Sequence, residues 1–325
     1  GVKTGPRLYQ FPFVISELLD RISGDIVYAS KPRTTSYGLS LLAALDRDRP
    51  LILDIDDWET GFSYQYGRIK TYIKGVPRLV TVNSIFYKRS LEALTSLADA
   101  RTVSNRFLQD RFGGTMIPHA KDTDELDPSK FDGASVREEF DLPPDDFLVM
   151  FSGTPRPHKG VDDLAKAVAG IDRDDVKAVV VGAHESEYVD TLREIGGDSI
   201  IIRGMQPFDE LPKWLAAADV IAIPQKDSPA TWGQMPSKVF DAMAMAKPVI
   251  ASNVSDLPLV LEDCGRIIEP GNFEQLRASI VELQNDRGLR KSLGRRARQK
   301  CIEKYSYDAL SPVIDHVISD VLNGK

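Results

Sequence analysis

The chain has 325 residues, a formal net charge of −7, and 42% hydrophobic against 27% charged residues. That length predicts two domains rather than one, and the hydrophobic content is ordinary for a soluble globular protein. No apolar run is long enough to cross a bilayer, and no secretory leader is visible, so a cytoplasmic protein is the default expectation. Cys264 and Cys301 supply neither a disulfide framework nor a zinc spacing and read as small apolar fillers.

In chain order, strands are predicted at 25–30, 50–56, 79–83, 101–104 and 115–118, with helices between them such as 37–45 and 85–97. The second strand closes in Asp54, Asp56 and Asp57, followed by Trp58 and Glu59. Side chains at the carboxyl end of a parallel strand point toward a cleft. Asp56 and Asp57 either grip a ligand's polar group or take a proton, or they form an acidic turn with a capping aspartate. Carboxylates so close repel one another unless they bind something.

From 60 to 91 there is no acidic residue, while Arg68, Lys70, Lys74, Arg78, Lys88 and Arg89 fall inside the window. Tyr64, Tyr66 and Tyr72 are interleaved with them. One reading is a patch for an anionic lipid surface or an anionic acceptor. The other is an ordinary basic rim over core aromatics, which needs partners for the phenols. No nucleic-acid motif accompanies the patch, so nucleic acid is not expected. The polar stretch 122–144 reads as an interdomain linker.

Beyond it, strands are predicted at 147–151, 176–181, 199–202, 219–223, 248–252 and 266–268, and closing helices at 273–285, 289–304 and 307–322. Strand and helix alternating in this way predict parallel sheets covered on both faces. After the first of these strands comes SGTPRPHKGVDDLAKAV, 152–168. Gly153 makes a tight turn. Arg156 and Lys159 flank it, with His158 in reach of a phosphate, and Lys159-Gly160 opens an amphipathic helix. Two cations at a Gly-Pro turn before a helix suit a diphosphate.

A further phrase, PSKVFDAMAMAKPVIAS at 236–252, reads as loop, helix and buried strand. Val239, Phe240, Met243 and Ala246 fall on one helical face, and Pro248 ends the helix. Asp241 interrupts it. Such a carboxylate either holds a sugar diol through paired hydrogen bonds or is a solvated helix residue.

The 236–252 phrase resembles the P-x-K-x-x-E-A-M-A-x-G-x-P-V-I-A signature of glycosyltransferase family 4. The 152–168 turn resembles that family's G-R-x-x-x-x-K-G, with Thr154 in place of the arginine and Arg156 two residues later. The resemblance implies a GT-B fold: two Rossmann-like, doubly wound parallel-sheet domains with an interdomain cleft. It divides the chain into an acceptor-side domain at 1–122, a linker at 123–144, a nucleotide-sugar domain at 145–305 and a helix at 306–325 that crosses back.

It also assigns roles. Lys159 and Arg156 neutralise the leaving diphosphate, and Asp241 stands at the position of the glutamate that holds the ribose. Asp56 and Asp57 take the place of a His-Asp pair beside the reacting carbon. Gly153, Thr154 and His158 border the donor phosphates. Gly204, Met205 and Gln206 border the nucleobase. Gly233, where a family glutamate is missing, lets backbone approach the donor, and Met235, Pro236, Ser237 and Lys238 offer the helix start. Gly1, Gly5, Arg68, Lys70, Tyr72 and Lys74 are expected on the acceptor side, Gly1 and Gly5 as a Gly-rich loop or as an unrelated start. The implied activity is retaining, metal-independent hexosyl transfer from a UDP- or GDP-sugar to a glycan or lipid-linked acceptor. No resident cofactor is expected, and the protein is expected to be peripheral on the inner face of a membrane. A GT-B sugar-nucleotide epimerase and a non-catalytic nucleotide-sugar scaffold are the alternatives.

Overall fold

A computed structural model describes residues 12–64 and 67–324. Gly1, Gly5 and Tyr66, which the sequence singles out, lie outside the described residues. The chain divides into two compact units. Unit 1 runs to Pro118 and takes in Ser228–Met235 and the chain from Ser311 onward; unit 2 is His119–Asp227 with Pro236–Leu310.

Unit 1 carries a four-stranded sheet in the order β1 (Val27–Ser30), β2 (Leu51–Ile55), β3 (Ala100–Val103) and β4 (Thr115–Met116), with every pair parallel. β2 is an apolar run because both of its faces are covered. Leu53 and Ile55 pack with Tyr37, Trp58 and Leu108. Ile52 on the opposite face packs with Val317 and Val321 of the Tyr307–Leu322 helix.

Unit 2 carries six parallel strands: β5 (Phe147–Ser152), β6 (Val176–Ala183), β7 (Ile200–Gly204), β8 (Val220–Ile223), β9 (Val249–Ser252) and β10 (Gly265–Ile268). Their order is β10-β9-β8-β5-β6-β7. The chain therefore winds outward from β5 to β7 and then returns to β8 on the other side of β5. Ligands in such open sheets sit where the order reverses, beyond the carboxyl ends of the central strands. The core under this sheet gathers Val149, Phe151, Leu164, Val168, Val180 and Ala222, all buried.

Three expectations differ from the structure. No strand covers 79–83. A 3-10 turn at Val76–Arg78 leads there, Leu79 and Val80 are exposed, and Thr81 N–H bonds back to Arg78 O. Only Thr81 of the stretch takes part in a β-bridge, so the run does not extend into a strand among the described residues. The stretch 122–144 is folded as part of unit 2. Its Gly133–Glu139 helix is capped by Asp132 and tied down by Arg137, which bonds Asp219 at 2.7 Å, while Phe140 stacks on Trp214 at 4.2 Å. Ser228–Met235 interrupts the second half of the sequence yet belongs to unit 1.

Candidate functional site

The turn after β5 lies at the reversal point of the unit 2 sheet. Gly153 has φ +111°, which a side chain rarely adopts, and a Cβ there would stand 3.2 Å from Lys238 Nζ. The chain then passes Thr154 and the exposed Arg156 into a 3-10 turn, Pro157–Lys159. Lys159 Nζ donates to Thr154 O at 2.8 Å, which folds the ammonium back over the turn. Gly160, at φ +68°, begins the Val161–Ala169 helix pressed against the end of β8, so close that a Cβ would lie 1.8 Å from Pro224 O. Lys226 N–H bonds His158 O, which fixes the far side.

Several cations therefore share one place, and Asp241 is the carboxylate that acts on one of them, Lys238. Burial, reinforced by Arg156, pushes Lys159 down to about 8. Burial and the charges of Lys159, Arg156 and Lys238 push His158 down to about 4. Lys238 lies well below its ordinary value, first through burial and then through Lys159. Its Nζ is buried without a hydrogen-bond partner among the described residues, 3.7 Å from the centre of the Phe151 ring. A buried ammonium lacking a partner costs free energy, and an anion arriving among these groups removes that cost. The sequence pointed to the backbone of Lys238. The structure adds its side chain, whose direction is set by Phe151 on β5.

Asp241 lies one turn into the Lys238–Ala244 helix and is 6% exposed. Burial raises its pKa and Lys121 opposes the rise. Lys121 Nζ pairs with its Oδ1 and donates to Ser237 Oγ at 2.6 Å. Lys121 is held in place by backbone bonds to Tyr305 and Tyr307. Asp241 lines a cavity of about 80 Å³ with Lys121, Glu125, Phe208 and Leu211. Lys121 and Phe208 were missed in the sequence, where only their nearness in space to Asp241 marks them. Gly204 and Met205 are exposed at the end of β7, and Gln206 Nε2 bonds Gly204 O. Pro236 precedes the Lys238–Ala244 helix.

Asp56 and Asp57 belong to unit 1, and their mutual repulsion is answered inside that unit. Lys31 Nζ lies 2.7 Å from Asp57 Oδ2 and 3.2 Å from Asp56 Oδ2. Glu59 takes Arg33 at 2.6 Å and Lys88 at 3.4 Å. Burial still raises Asp57 above the ordinary carboxylate range, against the Lys31 hydrogen bond. Asp56 Oδ1 is buried without a hydrogen-bond partner. Gly233 and Met235 sit in unit 1 as well. Gly233 O accepts from Trp58 N–H, and Met235 is buried. Tyr64 points inward and finds its phenol partners: Tyr72 Oη at 3.1 Å and Arg89 Nη1 at 3.2 Å. Arg68, Lys70 and Lys74 are exposed on the Arg68–Gly75 helix. Among the described residues no three His, Cys, Asp or Glu side chains are grouped to hold a metal.

Residues 146–286 match the family model of the group 1 glycosyl transferases. Over 207 residues the chain is 28% identical to the D-inositol 3-phosphate glycosyltransferase of Streptomyces bingchenggensis, covering 59% of this chain and 44% of that protein. Over 206 residues it is 27% identical to a GDP-mannose-dependent alpha-(1-6)-phosphatidylinositol monomannoside mannosyltransferase of Mycobacterium tuberculosis, covering 60% and 53%. The matches thus span about half the length of these relatives. The structure of HepE from Anabaena in complex with UDP-glucose superposes with a TM-score of 0.76 at 19% identity, over 96% of this chain and 82% of that one.

Proposed function

We propose that this family 4-like glycosyltransferase of GT-B fold moves a sugar from a nucleotide-sugar donor to an acceptor hydroxyl, with retention of configuration. The observation that carries the reading is the set of cations at the unit 2 switch point, with Lys238 Nζ buried and unpartnered among them. When the bond from the anomeric carbon to the diphosphate breaks, negative charge builds on the departing oxygen. Lys159 and Lys238 are already desolvated and Arg156 stands exposed beside them, so little reorganisation is needed at that moment. The new bond forms from the acceptor oxygen to the same face of the anomeric carbon, and the hydroxyl proton passes to the departing diphosphate oxygen. Asp241 receives the ribose hydroxyls, with Lys121 orienting its carboxylate. The phrases at 152–168 and 236–252 support a UDP- or GDP-sugar donor and a transfer that needs no metal.

On the acceptor side, Ile69, Ile73, Val76 and Val80 are all more than half exposed, in line with Arg68, Lys70 and Lys74. An apolar row edged by cations suits the interface of an anionic bilayer, so a lipid-linked acceptor met at the membrane surface is the reading for unit 1. No described helix is long and apolar enough to cross a membrane.

Lys159→Ala tests the donor site. Titration of UDP and GDP, and transfer assays with their hexosyl derivatives, should show loss of transfer on the order of 10²-fold or more, with a folded protein. Nucleotide affinity and turnover equal to those of the unsubstituted chain would sink the assignment. Conversion of the donor sugar without any acceptor would identify an epimerase instead.

A further inference from the structure

Within the acid-free window 60–91, unit 1 contains a cavity of about 320 Å³. It lies between Phe62–Ser63, the Arg68–Gly75 helix and the start of the Ile85–Ala93 helix. Lys74, Arg78 and Lys88 line it together with Ser63, Asn83 and Ser84, and none of the lining residues is acidic. Gly75 keeps the two helices close, since a Cβ there would meet Ile85 Cγ2 at 2.6 Å.

Ser84 is the telling residue. It holds the N-cap position of the Ile85–Ala93 helix in extended backbone, φ −64° and ψ 157°, but its side chain caps nothing. A serine there ordinarily accepts from the second or third helical N–H. Here the residue is 3% exposed and its hydroxyl has no hydrogen-bond partner among the described residues. A buried hydroxyl, a helix N-terminus and three cations around one space make an anion cradle. Lys88 shares Glu59 with Arg33, and Arg78 has no ion pair among the described residues. The space is larger than a phosphate needs and falls at the lower end for small organic ligands. Ser63 and Asn83 add polar groups for hydroxyls.

We propose that this cavity binds the phosphate group of a phosphorylated polyol, with Ser84, Arg78 and the start of the Ile85–Ala93 helix as its seat. The assignment rests on the acceptor-side reading of unit 1 and not on the donor site. The same chemistry is offered by a soluble polyol phosphate and by a phospholipid headgroup.

Glycerol 1-phosphate and inorganic phosphate titrated into the full chain should bind saturably. Arg78→Gln should weaken glycerol 1-phosphate by about tenfold or more, the loss of one charge-assisted hydrogen bond. Ser84→Ala should weaken it a few-fold with no change in charge, and melting temperatures verify that both variants fold. Phosphatidylcholine vesicles with and without phosphatidylglycerol separate the sources. If anionic-vesicle binding falls in both variants, the ligand is a headgroup; if only the soluble phosphate is affected, the ligand is soluble. Absence of phosphate binding together with vesicle binding that ignores Ser84 is surface charge alone and overturns the pocket, leaving the membrane reading intact. Binding unchanged in both variants overturns it equally. Titration of UDP reads unit 2 separately, so either result leaves the donor site to its own test.

Discussion

Lys159 holds its charge at a cost when no anion is present. Its folded value of about 8 lies below the ordinary 10.5. Between those two pH values the unfolded chain holds more protons than the folded one, so this group makes stability rise with pH across that window. Below pH 8 the penalty is present in full. Lys159→Met removes the buried charge and keeps most of the apolar stem. It should raise the stability of the empty protein by on the order of 1 kcal/mol while destroying nucleotide binding. Denaturant unfolding at pH 7 with and without UDP measures both, and a less stable variant would contradict the account. A bound diphosphate should restore the proton on Lys159. UDP affinity should therefore fall as the pH climbs past about 8, and calorimetry in buffers of different ionisation enthalpy should detect proton uptake that Lys159→Met abolishes. The unfavourable charge and the proposed catalytic use are one property of the residue.

At the scale of elements, the turn after β5 depends on how closely the Val161–Ala169 helix meets the end of β8. Gly160 is demanded twice, by its left-handed backbone and by Pro224 O at 1.8 Å from a would-be Cβ. Gly160→Ala should therefore cost on the order of 3 kcal/mol or more and displace Lys159 with the helix start. A variant with unchanged melting temperature and unchanged UDP affinity would show the contact to be looser than described. The strand that carries Asp56 and Asp57 illustrates the opposite situation. β2 is determined by its own apolar residues, but its acidic end is stabilised by Lys31 and Arg33, more than twenty residues earlier. Lys31 adopts φ +68° to deliver its ammonium, an uncommon backbone for a non-glycine residue. The acids alone suggested an external partner; the loop after β1 supplies an internal one.

For the whole molecule, net charge and local charge point in opposite directions. The chain is acidic at −7, yet 60–91 carries six cations and no acid. Reversing Arg68, Lys70 and Lys74 to Glu should abolish co-sedimentation with anionic vesicles, and added salt should weaken it in the parent, since exposed charges are screened within about 8–10 Å. Equal sedimentation with neutral and anionic vesicles would remove the membrane from the reading. What the sequence by itself determined rests on short-range physics. Alternating apolar runs pointed to two parallel α/β sheets, which the structure has, while the Gly-Pro turn before an amphipathic helix marked Arg156 and Lys159, and the 236–252 phrase marked Asp241, as candidates. Each is written in consecutive residues, where periodicity and turn chemistry act. Only the tertiary structure decided that Lys121 holds Asp241, that the Lys238 ammonium is buried beside Phe151, that Ser228–Met235 packs with unit 1, and that Ser84 is left uncapped in a basic cavity. Those pairings join residues far apart in the chain or depend on a neighbouring helix, and burial, which no local pattern encodes, turns them from surface charges into a site.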